Sequence, residues 1–168
     1  MRKQPSVSII AAMSLNRAIG KDGSLPWPEP IPADWDNLKK VTKGKKMIMG
    51  RKSYEDKHRV SSEAGNYVLS HQEDLELEDN FRQVKSLEEA LELCKGEDEV
   101  FVIGGQGVFK TALPRCQTIY LTLVLKEFEG DTFFPPFEHL HFRVVETQNF
   151  GVSKESPYPM QILTYRRD

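Results

Sequence analysis

Leu25-Pro26-Trp27, followed by Ile31-Pro32-Ala33-Asp34-Trp35, puts an acid in the first turn of an otherwise apolar-faced helix. Pro32 suits the first helical position, because its missing N–H would find no intrahelical partner there anyway. Trp35, Leu38 and Val41 recur at helical spacing and give the segment an inward face. Asp34 sits beside that face, so its carboxylate is expected to point inward, where an uncompensated charge costs roughly several kcal/mol. It needs a partner or a ligand. Taken alone, an acid in that turn is more simply a carboxylate favoured by the helix dipole. The rest of the chain overturns the simpler account.

A second cue is Met47-Ile48-Met49-Gly50-Arg51-Lys52-Ser53, which reads as strand, glycine, then basic and hydroxyl residues opening a helix. A helix start offers unpaired N–H groups and a positive dipole end; with Arg51, Lys52 and Ser53 this favours phosphate. A Walker-type loop would need a glycine where Lys45 stands, so that rival fails. Val100-Phe101-Val102-Ile103-Gly104-Gly105-Gln106-Gly107 repeats the logic at another junction without matching G-x-G-x-x-G. Glycines there let the backbone approach a ligand with no Cβ in the way. One Gly-Gly turn is more often mere geometry. Two such junctions imply a cofactor with more than one phosphate, as in a dinucleotide lying across the strand ends.

The elements that must position these groups alternate short apolar β-rich runs with amphipathic helical stretches, the α/β pattern. Residues 7–12 read as a buried strand, near-continuously apolar as in a covered parallel sheet. A loop rich in Gly and Pro follows over 13–32, of a length that marks functional loops. Helix 33–43, strand 46–50 and a helix from about Lys52 come next, then strands at 66–70 and 82–85. Ser86-Leu87-Glu88-Glu89 is a capping box opening helix 87–95. Strand 99–103, helix 106–112 and strand 117–125 complete the alternation. Strands at 132–134, 141–150 and 160–167 look antiparallel and hairpin-like. No repeat, low-complexity tract or linker interrupts the chain. The fold class is therefore α/β: residues 1–168 as a single domain, with a central mixed, mostly parallel sheet of about eight strands flanked by helices and a C-terminal antiparallel hairpin.

At 168 residues the chain can bury a real core, and a net charge of −2 argues against nucleic acid or an anionic membrane as the main partner. The basic stretch Lys39, Lys40, Lys43, Lys45, Lys46, Arg51, Lys52 and the acidic run Glu73, Asp74, Glu76, Glu78, Asp79 read as solvated surface. The basic stretch gains interest only because it ends in the phosphate-like turn. Cys94 and Cys116 lack ligand spacing, so neither a disulfide framework nor a zinc site is expected, and a reducing cytosol fits. His139 and His141 read as loop or edge residues, and no metal is expected. No secretory segment or bilayer-spanning run is present, so a soluble, cytoplasmic protein is expected.

In order along the chain stand Ile10-Ala11-Ala12, Asn16-Arg17-Ala18-Ile19-Gly20, Leu25-Pro26-Trp27, Pro32-Ala33-Asp34 and Ile48-Met49-Gly50-Arg51. Val102-Ile103-Gly104-Gly105, Ile119-Tyr120-Leu121-Thr122 and Glu129-Gly130-Asp131-Thr132 follow, and Tyr158 extends the pattern toward the C-terminus. In that joint order the chain resembles the dihydrofolate reductase family. The resemblance implies hydride transfer from NADPH to C6 of dihydrofolate with a proton delivered to N5, and a monomer as the common state. It implies that Asp34 holds the 2-amino and N3 edge of the pterin, assisted by Thr122. Trp27 would order water near the pterin oxygen. Ile10, Ala11, Trp35, Leu38 and Ile103 would line the substrate, with Lys39 and Arg59 as charges toward its tail. Ile19 and Leu25 belong to a loop closing over the nicotinamide, held by Asp131 near Gly20 and Asp22. The cofactor would further meet Ala12, Gly50, Arg51, Lys52, Ser53, Leu69, Ser70 and His71. Arg51 and His71 would lie near the 2′-phosphate. Gly104 and Gly105 would form a cis pair beside the pyrophosphate, followed by Gln106, Gly107, Val108 and Phe109.

The chain also departs from that pattern. The family usually has an arginine pairing with the α-carboxylate of the glutamate tail, and here that place is Ala64. Such a bidentate pair is worth roughly 1.5–3 kcal/mol, on the order of ten- to hundredfold in affinity. Weaker discrimination for the tail is expected. Pro28-Glu29-Pro30 lengthens the stretch after Trp27 relative to many bacterial members, and Pro28 removes a backbone donor that the loop could use. Glu155 stands near where the partner of that donor sits in some relatives, so fewer resting states of the loop are expected. Trp35 is bulkier than the usual residue and either narrows the pocket that the resemblance implies for dihydrofolate and antifolates or fills core. Two other readings compete: a pyrimidine reductase of the same fold, which predicts no acid at Asp34, and a non-catalytic nucleotide-binding protein, which would tolerate loss of Asp34 or Thr122.

Overall fold

β1 (Ser6–Ser14) lies centrally, between parallel β6 (Glu99–Val102) and β7 (Cys116–Val124), and both of its faces are covered: Ile9 on one and Ile10 on the other are buried, which is why the strand reads as an almost unbroken apolar run. The computed structural model describes residues 2–73 and 75–168; Asp74 of the acidic run lies outside them. After β1 come β2 (Ala18–Gly20), α1 (Pro32–Thr42), β3 (Lys46–Gly50), α2 (Arg51–Glu55), β4 (Asn66–Leu69), β5 (Phe81–Val84) and α3 (Leu87–Leu93). Then follow β6 (Glu99–Val102), α4 (Gln106–Ala112), β7 (Cys116–Val124), β8 (Thr132–Phe133), β9 (Phe142–Phe150) and β10 (Met160–Arg167). Short 3-10 turns occupy Leu113–Arg115 and Glu138–Leu140.

Eight strands make one sheet in the order β5-β4-β3-β6-β1-β7-β10-β9, parallel except where β10 runs against both β7 and β9. The expected mixed, mostly parallel sheet with its C-terminal hairpin is thus the observed one. The main core gathers Ile9, Ile48, Val102, Ile119 and Leu121 from the central strands with Leu91 of α3 and Phe109 of α4. A second cluster, Trp27, Ile31, Ala33, Val124, Met160 and Ile162, seats the start of α1 against β7 and β10. β9 is the exposed edge, and the register slips opposite Thr164 and Tyr165, a bulge of the kind that discourages further pairing.

The stretch expected as loop over 13–32 is more ordered than that. β1 runs on to Ser14, β2 pairs antiparallel with β8, and Lys21 and Ser24 close a tight turn through two backbone bonds of 2.9 and 3.1 Å. Asp22 and Gly23 take φ of 51° and 80°, the left-handed pair of a type I′ hairpin. The alternation of a strand is missing there because β2 is only three residues long. The helix expected from Lys52 is a single turn starting at Arg51, and α3 stops at Leu93 ahead of the left-handed Gly96. At the start of α3, Ser86 Oγ accepts the Glu89 N–H at 3.0 Å, while the Glu89 carboxylate takes the N–H of Lys85 at 2.7 Å, one residue further back than a capping box requires.

Candidate active site

α1 begins without a side-chain cap and with Pro32 in its first turn, so it enters the fold wedged by Ile31 and Ala33 in the second core. That seating turns Asp34, Trp35 and Leu38 into a cavity of about 930 Å³ instead of into packed core. The inward stripe of the helix therefore faces open space. Val41, its third member, is half-buried and not part of the wall. The cavity opens beside the C-terminal part of β1 (Ile10, Ala11, Ala12) and the turn after β6 (Ile103, Gly104, Gly105), where α/β sheets bind ligands.

Burial strips water from the Asp34 carboxyl and pushes its pKa up from 3.8 to about 6, while a hydrogen bond with the Thr122 hydroxyl pulls it back. Thr122 lies on β7 in register with Ala12 of β1, behind the wall and almost fully buried. Among the described residues Asp34 has no ion-pair partner. A carboxylate in that state is complementary to a pair of adjacent N–H donors, such as an amidine edge. Trp27 is 2% exposed, packs edge-on against Phe128 at 5.6 Å, and borders a smaller recess of about 290 Å³ with Lys21, Ser24 and Lys57. Its buried Nε1 has no acceptor among the described residues. That indole N–H calls for a water or a ligand oxygen.

The two glycine turns touch. Gly50 N–H donates to the Gly104 carbonyl at 2.8 Å, and a cis peptide bond joins Gly104 to Gly105. A Cβ on Gly50 would lie 3.0 Å from Val108 Cγ2; one on Gly104, where φ is 135°, would lie 3.1 Å from Ser53 Oγ. Both turns thus need bare backbone, and Lys52, Ser53, Gly104, Gly105, Gln106 and Phe109 lie along the same cavity wall. This donor set, cationic and stripped of Cβ atoms, fits a phosphate-bearing cofactor. Gln106 also accepts the Phe133 N–H at 2.8 Å, tying the turn to β8.

Ile19, Gly20 and Leu25 reach the cavity from the hairpin, which is a flap. Asp131 Oδ2 accepts the Asp22 N–H at 2.8 Å, and Asp131 N–H donates to the Gly20 carbonyl at 2.9 Å. The Glu155 carbonyl accepts the Ala33 N–H at 2.7 Å, so that bond braces α1 and not the flap.

Not every expected residue reaches the wall. Lys39 is exposed on α1 and lines no part of the cavity, because it falls on the solvent side of the helix. Arg59 does line it, but its guanidinium is occupied: it pairs with Glu78 at 2.8 Å, donates to the Tyr54 carbonyl, and lies over the Tyr54 and Phe81 rings. Gly50, Gly107, Val108, Leu69, Ser70 and His71 stand outside the wall, Leu69 as the last residue of β4 with Ser70 and His71 directly after it. Arg51 is exposed, bonded to Glu55 at 3.2 Å and to Gln72. Ala64 is exposed with no charge of its own to offer. Ser24, Glu55, Asp56, Lys57, His58, Val60 and Thr132 line the cavity without having been singled out by sequence. Asp22-Gly23, a hairpin-turn pair, was the available signal for Ser24; the 55–60 stretch carries none.

Residues 6–167 match the family model described as dihydrofolate reductase. The chain is 36% identical over 161 residues to the dihydrofolate reductase of Bacillus subtilis, covering 96% of this chain and 94% of that one. It is 37% identical over 151 residues to that of Neisseria gonorrhoeae, covering 89% and 91%. Among solved structures, dihydrofolate reductase from Enterococcus faecalis complexed with NADP(H) and RAB-propyl superposes with a TM-score of 0.86 at 30% identity, covering 100% of this chain and 99% of the other.

Proposed function

This chain belongs to the dihydrofolate reductase family and reduces 7,8-dihydrofolate to 5,6,7,8-tetrahydrofolate with NADPH, and we propose that Asp34 is the residue that readies the pterin for it. The observation that carries this assignment is a desolvated carboxyl without a counter-ion, set in the wall of the cavity that also holds the paired glycine turns. Asp34 accepts hydrogen bonds from the 2-amino and N3 groups, which fixes the ring and raises the basicity of N5. Thr122 holds the carboxylate in that pose. The orphaned Trp27 N–H donates to a water beside the pterin oxygen, from which N5 takes its proton.

NADPH, when bound, supplies the hydride received at C6. Ile19 and Leu25 on the flap cover that face and exclude water. Lys52, Ser53, Gly104 and Gly105 would hold the pyrophosphate, and Arg51 and His71 would meet the 2′-phosphate, favouring NADPH over NADH. Ile10, Ala11, Trp35, Leu38 and Ile103 enclose the substrate ring and its neighbouring aryl group. The described residues act as one unit around the shared sheet. A spectrophotometric assay of NADPH consumption with dihydrofolate, run beside NADH and repeated with Asp34→Asn, tests the assignment. Strong loss in the variant is expected; an unchanged rate removes Asp34 from the chemistry.

A further inference from the structure

The flap is fastened unevenly. On the side of residues 129–131 it has three ties: Asp22 N–H to Asp131 at 2.8 Å, Asp131 N–H to the Gly20 carbonyl at 2.9 Å, and Lys21 Nζ to Glu129 at 2.9 Å. On the opposite side of the cavity, a single tie among the described residues reaches the residue that ends α2: Ser24 Oγ donates to Asp56 Oδ1 at 3.3 Å. Both residues line the same cavity, so this bond crosses from the flap to the facing wall. The Asp56 oxygen is aimed in advance, because it already accepts the His58 N–H at 2.8 Å. Ser24 is likewise presented by a stiff support, the type I′ turn with its two backbone bonds.

We propose that Ser24 and Asp56 are positioning residues forming the clasp of the flap, and that breaking this one hydrogen bond sets the rate at which cofactor leaves. The proposal rests on the dihydrofolate reductase reading of the cavity. A 3.3 Å bond is long for a hydroxyl donor and shares its acceptor oxygen, and it stands alone against three ties on the other side, so this is the side at which the flap opens. The three ties on the other side act as the hinge.

The test compares parent, Ser24→Ala, Ser24→Thr, Asp56→Ala and the double variant Ser24→Ala/Asp56→Ala. The quantity read is the rate at which excess NADP+ displaces bound NADPH in a stopped-flow instrument. Ser24→Ala should release NADPH about three- to tenfold faster, the range expected for losing one modest hydrogen bond. Ser24→Thr, which keeps the hydroxyl, should return to the parental rate. The double variant should be no faster than the faster single variant, since both remove the same bond. An unchanged rate in Ser24→Ala, or effects that multiply in the double variant, overturns the clasp. Failure of the underlying reading has a different signature: the parent itself would neither bind NADPH nor reduce dihydrofolate. In that event relaxation dispersion at the Gly23 and Ser24 amides of ligand-free parent and Ser24→Ala still decides, with altered exchange expected and identical profiles overturning the proposal.

Discussion

The Thr122 hydroxyl on β7 is the neighbour that offsets the burial raising the pKa of the Asp34 carboxyl on α1. Removing it with Thr122→Ala should move the pKa of Asp34 upward from about 6. The pH profile of kcat/KM reports the change, and an upward move of its limb with roughly tenfold lower activity is expected. A limb that stays in place would detach Thr122 from the acid.

The same raised pKa gives a stability prediction with a definite sign. Asp34 holds its proton to about pH 6 when folded, against 3.8 for an ordinary aspartate, as in the unfolded chain. The unfolded state thus sheds a proton first, so stability of the ligand-free enzyme falls as pH rises from about 4 to about 6 and stays lowered above that. The difference amounts to at most about 3 kcal/mol. Asp34→Asn should therefore melt higher than the parent at pH about 7.5 and level with it near pH 4, while turnover falls on the order of 10²-fold or more. Thermal scans at both pH values check it. A lower melting temperature for the variant at neutral pH contradicts the burial argument.

Gly130 leaves no space for a methyl group: a Cβ there would lie 2.6 Å from Ala18 Cβ and 3.0 Å from the Gly20 carbonyl. Gly130→Ala should push β2 away from the segment that anchors the flap, costing about 1–3 kcal/mol by overpacking. Urea titration measures the loss, and the Lys21–Glu129 ion pair nearby is too exposed to offset it.

Arg59 is pinned by Glu78 and two aromatic rings, and Ala64 brings no charge. Discrimination for the glutamate tail of the substrate should accordingly be weak. The ratio of kcat/KM for dihydrofolate over tail-less dihydropteroate is expected below about a hundredfold. A larger ratio would mean that another cation receives the tail.

The residues that do chemistry were more legible in sequence than the way they are held. Asp34 announced itself as an acid beside an apolar stripe, and both glycine turns as interruptions between strand and helix. The parallel character of the sheet was legible in the near-continuous apolar run of β1, the mark of a strand covered on both faces, while the order of the strands was not. The flap stayed hidden because three residues of β2 show no period, although Asp22-Gly23 carried the local turn chemistry. Lys39 lies off the wall because it falls on the solvent side of α1, and a charge placed there only to replace a missing arginine carried no pattern of its own. Arg59 looked available as a free charge, and its capture by Glu78, nineteen positions away by numbering, is a tertiary contact no local pattern encodes.

The chain contains only two tryptophans, and each borders a recess of the reaction centre: Trp35 on the large one and Trp27 on the small one. No indole elsewhere dilutes their signal. The intrinsic fluorescence of the unlabelled protein is therefore an optical gauge of this region alone, with quenching or energy transfer to reduced nicotinamide reporting occupancy directly.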